Sequence, residues 1–407
     1  MAKILFLSDK AVGRQMSGLG LRVHELAKVL AADHHVAIAG RATGFGRFFQ
    51  ELIGSDIVIV QIYYFRLFRV LLARLLGKRI VIDAYSPFHL EHLETEKGNA
   101  KKSALMQKID ACRIRVMFAC ADLVLCASER QKALWLPWLA EAGSQAVVLA
   151  VVPTGIRVDP PVQKRHLLRG GVAGIAASDT IVLWSSGIWP WLDPLTAVAA
   201  IALVRDEKVK LVFFGLAALD PSVKGDKQPQ LRAAVALARE KDLLDKRVFF
   251  VNQRTPYDEM GDYLLDADIA LNLHCDTPET RYAFRGRLLD YLWAGLPVVT
   301  TTGDVLSARI AAGQAGIVVG YQQSGEVAAA LERLAADRQF AEQCRQNSKK
   351  LAAELVWPQA AAPLAEYCRR TERSRRGTDG PRLIGFLAGA YWFSALYLLK
   401  YLLAGKK

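Results

Sequence analysis

Short, unbroken apolar runs recur along this chain every few tens of residues, and the series occurs twice. ILFLS (4–8), HHVAIAG (34–40), DIVIVQIY (56–63), RIVIDAY (79–85), DLVLCAS (122–128) and VVLAVVP (147–153) make the first set. TIVLWSS (180–186), KLVFFG (210–215), RVFFVN (247–252), DIALNLH (268–274), LPVVTT (296–301) and AGIVVG (315–320) make the second. These runs lack the alternation of a half-exposed strand, so they predict strands buried on both faces of a parallel sheet. Parallel neighbours need crossovers, and helical spacing supplies one at Leu21, Val23, Leu26, Val29 and Leu30. Between the two sets, PPVQKRHLLRGGVAGIAASD (160–179) reads as a polar linker with one short helix. The expected fold class is α/β: two Rossmann-like doubly wound domains facing a cleft, over residues 1–165 and 175–355. A crossover helix (356–372), a basic linker (373–382) and a hydrophobic helix (383–405) follow. In such sheets ligands bind outside the carboxyl ends of the strands.

With 52% apolar and 23% charged residues over 407 positions, global disorder is excluded. Six cysteines without a C-x-x-C pair exclude a disulfide scaffold and argue against a structural zinc. The opening Met1-Ala2-Lys3 leads straight into a strand, which predicts a cytoplasmic body.

The net charge of +13 is uneven: residues 369–407 hold nine Lys/Arg against two acids, a local +7. An anionic surface is the partner this suits, and the neighbouring composition points to membrane rather than nucleic acid. LIGFLAGAYWFSALYLL (383–399) has no charge, and the basic run RRTERSRRGTDGPR precedes it. As one helix, 383–405 would be about 34 Å long, enough to cross a bilayer core. Trp392 mid-segment and Lys400 weaken the spanning reading, whose main rival is a helix lying in the interface; an apolar helix packed on the body is the third reading. In 97–117, Leu105, Ile109, Cys112 and Val116 form an apolar stripe. Lys97, Lys101, Lys108 and Arg115 flank it on one side, Lys102 and Arg113 on the other, a pattern that suits lipid headgroups or a solvated rim. FRLFRVLLARLL (65–76) is apolar nearly all round, so no clean membrane face can be drawn on it.

Chemistry concentrates in two places. Gly18-Leu19-Gly20 stands before a helix, where backbone can approach an anion at the helix N-terminus. The second is DTPETRYAFRGRLLDYLWAGLPVVTT, beginning at Asp276. It places Arg281, Arg285 and Arg287 in a loop that enters a helix, and Asp290 one turn into it. Forked guanidiniums at a helix entry suit a diphosphate, and an acceptor-only carboxylate suits a ribose diol. A surface ion-pair cluster is the alternative.

These segments resemble the GT-B glycosyltransferases, and within them family 4. SGLGLRVHELAKVLA, ADLVLCAS, VVPTGI and the ALNLH…FRGRLLDYLWAGLPVVTTTGD block carry the resemblance over about residues 3–370. Val356-Trp357-Pro358 is similar to the point where the last helix crosses back to the first domain. The resemblance implies a nucleotide-diphosphate sugar as donor substrate, held mainly by the second domain. It also implies transfer with retention and no required metal or cofactor. Its donor-binding residues would be Tyr282, Phe284, Asp290 and Gly187, with Arg285 and Arg287 stabilising the diphosphate and Arg254 in reserve. The family's paired acids fall at Tyr282 and Asp290, so the first carboxylate is missing, and Arg285 replaces a usual glycine. GIWPWLDP (187–194) lacks the usual Arg and Lys, carries Trp189 and Trp191, and places Asp193 where it would repel phosphate if it pointed inward.

His89 and His92 follow a strand of the first domain, and His89 is a candidate for touching the donor sugar; His24 and His274 are weaker candidates. The reading that results is a hexosyl-type retaining transferase acting on a membrane-held acceptor, a lipid-linked glycan or glycolipid. It would work at the cytoplasmic face of the inner membrane, beside glycan-assembly proteins, and without nucleic acid. A non-catalytic GT-B scaffold and a sugar-nucleotide epimerase are the rivals.

Overall fold

The computed structural model describes residues 1–14, 16–144, 146–185, 187–216, 229–253, 255–370 and 380–403, without the side chains of 381 and 401–403. Contacts divide the chain into unit 1, Met1–Thr154 with Trp357–Lys407, and unit 2, Gly155–Val356. Each unit is built on one six-stranded parallel sheet. In unit 1 the strands are β1 (Lys3–Leu7), β2 (His35–Ala39), β3 (Ile57–Gln61), β4 (Arg79–Asp83), β5 (Leu123–Cys126) and β6 (Val148–Val151), in the order β2-β1-β3-β4-β5-β6. In unit 2 they are β7 (Thr180–Ser185), β8 (Val209–Phe214), β9 (Val248–Val251), β10 (Ile269–Asn272), β11 (Val298–Thr301) and β12 (Gly316–Val319), in the order β12-β11-β10-β7-β8-β9. Ten lie within the runs the sequence singles out, and β1 and β8 begin one residue earlier; β3, β4, β5, β10 and β11 are buried throughout.

The helices of unit 1 are α1 (Gly18–Leu30), α2 (Phe45–Gly54), α3 (Leu67–Leu75), α4 (Phe88–Thr95), α5 (Ala100–Cys120) and α6 (Glu129–Glu141). Those of unit 2 are α7 (Pro194–Leu203), α8 (Pro229–Glu240), α9 (Gly261–Leu264), α10 (Pro278–Tyr282), α11 (Gly286–Trp293), α12 (Val305–Ala312), α13 (Ser324–Ala336) and α14 (Arg338–Ala353). The chain then returns to unit 1 as α15 (Trp357–Ala360), α16 (Ala362–Arg369) and α17 (Gly380–Tyr397). Trp357, Ala361, Leu364 and Cys368 bury against Ile4, Phe6, Val23 and Leu26, which anchors that return. The expected crossover helix is thus two short helices. The short helix expected in the linker does not form. Its backbone is instead bonded to carboxylates, Lys164 N to Asp262 Oδ1 at 2.7 Å and Leu167 N to Asp266 Oδ2 at 2.7 Å.

At the carboxyl end of the unit 1 sheet, Asp83 of β4 pairs with Arg22 of α1; both are buried. Arg22 Nε donates to Asp83 Oδ2 at 2.9 Å, while Nη1 and Nη2 donate to the carbonyls of Pro153 and Val152 at 3.0 and 2.8 Å. One guanidinium therefore ties α1, β4 and the exit of β6 together.

The stripe on α5 is not open to lipid. Ile109 and Val116 are core residues, Arg113 donates to the carbonyls of Tyr63 and Tyr64, and α17 lies along the helix. Leu383 and Ala390 of α17 are buried there, and a Cβ at Gly389 would stand 2.8 Å from Cys112 Sγ. Phe386, Phe393 and Tyr397 lie under the cations Arg115, Lys108 and Lys102. Away from α5, α17 exposes Ile384, Tyr391 and Trp392, and Leu398 and Leu399 just beyond its end are exposed too. Arg382–Lys400 is long and apolar enough to cross a membrane by length and composition.

Candidate active site

The strand order of unit 2 reverses between β7 and β10, so the two loops leaving these strands part at a crevice. The loops are bonded to each other: Asp193 N donates to Leu273 O (3.1 Å) and Cys275 N to Trp191 O (2.9 Å). Helix α11 is held against the same strand ends by Tyr291, whose hydroxyl accepts from Ser185 N (2.8 Å) and donates to Leu271 O (3.3 Å). The helix ends in a tight turn in which Leu296 N reaches Tyr291 O at 3.0 Å and Gly295 adopts a φ of +66°. That left-handed φ explains glycine at this position. Everything that α11 carries is therefore fixed relative to the β7–β10 switch point.

Asp290 sits one turn into α11, as the sequence predicts. Its carboxylate is half-buried and makes no side-chain hydrogen bond among the described residues. Burial raises its pKa to about 7, opposed by the nearby guanidiniums of Arg157 and Arg287. Arg287 donates Nη2 to Gly187 O at 2.7 Å and lies over the Trp184 ring at 5.1 Å. Its Nη1 is buried without a partner among the described residues. Burial lowers its pKa to about 10, so it remains a cation at neutral pH. Arg157 is clamped between the rings of Tyr257 (4.1 Å) and Trp293 (3.6 Å) and donates Nη1 to Tyr257 O, while its Nη2 is buried without a partner among the described residues. An unused acceptor thus stands beside two guanidiniums that each retain an unused donor. A ligand with both hydroxyls and anionic oxygens would complete this set.

Arg285 is placed differently from the expectation. It is buried, donates to both oxygens of Glu279 (3.2 and 2.8 Å) and to Thr280 Oγ1 (3.1 Å), and its Nε lies 3.8 Å from Asp304 Oδ2. Two carboxylates neutralise it, so it braces α10 against α11 instead of presenting a free cation. Asp193 does not face a phosphate. Its oxygens accept from Thr196 N (3.0 Å) and Thr196 Oγ1 (2.6 Å), capping α7 ahead of Pro194. Trp189 and Trp191 stack at 5.8 Å, 10° from parallel; Trp189 is half-exposed and Trp191 buried. Trp189 lies beside Gly187, whose added Cβ would only touch that ring at 3.7 Å. Phe284 is half-buried against the core of unit 2, and Tyr282 is half-buried at the end of α10. Arg254 lies outside the described residues.

His274 is fully buried: Nε2 donates to Thr302 O at 2.9 Å, and burial depresses its pKa to about 3. It is a neutral structural group. In unit 1, His89 is buried against the rings of Phe88, Trp135 and Trp138, and its pKa is lowered to about 4, first by burial and then by His92. The Nδ1 of His89 is buried without a hydrogen-bond partner among the described residues. His92 is paired with Asp110 at 2.7 Å. Gly18 and Gly20 lie within the first turn of α1, which Ser17 caps, and do not precede it. A Cβ at Gly20 would stand 2.1 Å from Ala11 O, so the glycine is required by the close approach of the loop. Among the described residues no three His, Cys, Asp or Glu side chains gather as a metal site.

Asp290→Asn should weaken the binding of a nucleotide sugar about 10–100-fold, the loss expected for hydrogen bonds to a charged acceptor. The group's folded pKa lies above its usual value, so ionisation disfavours folding as pH rises from about 4 to 7. The variant should therefore be at least as heat-stable as the parent at pH 8. Parent affinity should fall as pH drops below about 7, while that of the variant stays flat. Titration calorimetry at pH 6 and 8 checks both; equal affinities would remove Asp290 from the site.

Comparison with known proteins agrees with this architecture. Residues 180–337 match the family model described as glycosyl transferases group 1. The chain is similar in structure to sucrose-phosphate synthase from Thermosynechococcus elongatus, with 18% identity over 90% of this chain and 98% of that one, at a TM-score of 0.66. It is similar to Anabaena HepE in complex with UDP-glucose, with 16% identity, 90% and 100% covered, and a TM-score of 0.64. A third likeness is to WaaG, a glycosyltransferase involved in lipopolysaccharide biosynthesis, with 16% identity, 90% and 99% covered, and a TM-score of 0.58. No curated protein matches significantly by sequence. The fold is that of the GT-B glycosyltransferases, as the resemblance in the sequence implies.

Proposed function

We propose that this chain, GT-B in fold with a group 1 match in its second unit, is a retaining glycosyltransferase. It moves a hexose-like unit from a nucleotide-diphosphate donor to a lipid-linked glycan or glycolipid at the cytoplasmic face of the inner membrane. The observation that carries the reading is the free Asp290 carboxylate between the Arg157 and Arg287 guanidiniums at the β7–β10 switch point. In this reading Asp290 accepts from the ribose hydroxyls, and Arg287 donates to the diphosphate. Trp189 offers an exposed ring beside them. As the bond from the anomeric carbon to the diphosphate breaks, its electron pair goes to the leaving phosphate oxygen. The acceptor hydroxyl attacks the same face, and its proton passes to that oxygen. The growing charge is stabilised by the guanidiniums without a required metal.

The membrane part rests on α17. One face is seated on α5 and the other is apolar and exposed, which suits a helix lying in the interface better than one surrounded by lipid. Basic residues flanking such a helix add attraction to anionic lipid. HepE was solved with UDP-glucose, so UDP-hexoses are the first donors to test. The pairing of Arg285 with Glu279 favours one rival, a non-catalytic scaffold. Membranes holding the full chain and a radiolabelled nucleotide sugar distinguish the readings. Label entering the solvent-extractable lipid supports transfer. Saturable binding without transfer or hydrolysis would favour the scaffold, and an altered free sugar nucleotide an epimerase.

A further inference from the structure

The net charge is confined to one unit. Unit 1 carries 29 Lys and Arg against 16 Asp and Glu, a net +13, whereas unit 2 carries 24 of each. Unit 1 also has a second exposed apolar surface that the proposed function does not use. In α2 only Phe48 and Leu52 face the core; the positions Phe45, Phe49 and Ile53, one turn apart, face outward. Phe68 of α3 joins them. The Phe45 ring lies 6.0 Å from Phe49 and 6.3 Å from Phe68, with interplanar angles of 17° and 29°. Phe45 is 54% exposed and Phe68 44%, so this is a built stack of rings left in water. Arg69 is inserted beneath it, 4.4 Å from the Phe48 ring, and Arg41 and Arg47 are exposed close by in sequence.

The surface continues toward α17. Phe65, 65% exposed at the entry to α3, lies 4.2 Å from the Arg113 guanidinium of α5. Arg113 is also within electrostatic reach of Tyr391 on the outer face of α17. Phe65 and the tail helix therefore approach the same residue of α5.

We propose that the α2–α3 aromatic edge of unit 1 is a second membrane contact, in which Phe45, Phe49 and Phe68 enter the headgroup region of an anionic bilayer alongside α17. Charge complementarity selects the occupant. A surface with a net +13 behind it attracts anionic headgroups, whereas a second copy would bring like charge to like. Two contacts on one unit would fix its orientation to the bilayer. The inference rests on the reading that α17 lies in the membrane, and the test separates the two.

Flotation of the full chain with phosphatidylcholine vesicles, with and without 30% phosphatidylglycerol, is the measurement. Phe45→Ser/Phe49→Ser/Phe68→Ser should lower partitioning into the anionic vesicles by about tenfold or more, as expected for losing apolar burial of that size. Phe45→Trp/Phe49→Trp, which keeps interfacial rings, should retain it. An unchanged melting temperature verifies that the exposed substitutions leave the fold intact. A full chain with Trp392→Glu and Leu399→Glu reports on the tail alone; parental binding there refutes the α17 reading. Parental binding by the serine variant overturns this proposal. A change of oligomeric state in that variant with vesicle binding retained would instead assign the edge to contact between copies.

Discussion

Arg287→Met should lower sugar transfer by about 100–1000-fold at saturating donor, the usual loss when one preorganised electrostatic stabiliser is removed. Methionine keeps much of the stem over Trp184 but removes the donor to Gly187 O and the buried unused Nη1. The loss should fall mainly on kcat, because charge on the leaving diphosphate is greater in the transition state than in the bound donor. Arg287→Lys should recover only part of it, since an ammonium cannot bond Gly187 O and a phosphate oxygen in the same forked geometry. By contrast, Arg285→Lys should act chiefly on stability, because that guanidinium is held by Glu279. Steady-state kinetics of the three variants separate the roles. Near-parental kcat in Arg287→Met would move phosphate stabilisation elsewhere, with Arg157 the next to test.

Asp83→Ala should destabilise unit 1 by about 3–5 kcal/mol, the cost of leaving one partner of a buried ion pair uncompensated. Arg22 would keep its two carbonyl acceptors and its place 4.6 Å from the Tyr85 ring, but no counter-charge. Arg22→Met/Asp83→Leu should recover most of that loss, because an apolar pair removes the desolvation cost as well as the attraction. Urea unfolding of both variants measures the difference. Equal stability of Asp83→Ala and parent would mean that water reaches the pair.

The strands were legible because burial on both faces leaves a continuous apolar run, a pattern that little else produces in a soluble body. Helix edges were less so. The start of α1 is set by the Ser17 side chain, and the crossover breaks at Ala361 between two short helices. In the site, Asp290 was legible from its place after an arginine-bearing loop. The engagement of Arg285 was not, because nothing along the chain marks Glu279 as its partner in preference to a phosphate. Arg157 was missed: it stands in VVPTGIRVDP without periodic context, and its clamp comes from Tyr257 and Trp293, far away in sequence. Asp193 carried a usable signal, since Asp followed by Pro at a helix start is a capping pattern. The exposed stack on α2 was hidden because FGRFFQELIG holds apolar residues on both faces, and only packing shows which one the core takes.

In the proposed function, unit 2 holds a nucleotide-diphosphate sugar at Asp290 and Arg287. Titration calorimetry of the purified full chain with UDP-, GDP- and dTDP-hexoses tests this most directly, run in parallel with Asp290→Asn. At least one donor should saturate at a one-to-one ratio, with affinity reduced about 10–100-fold in the variant. Failure of every donor to bind, or equal binding by parent and variant, would contradict it.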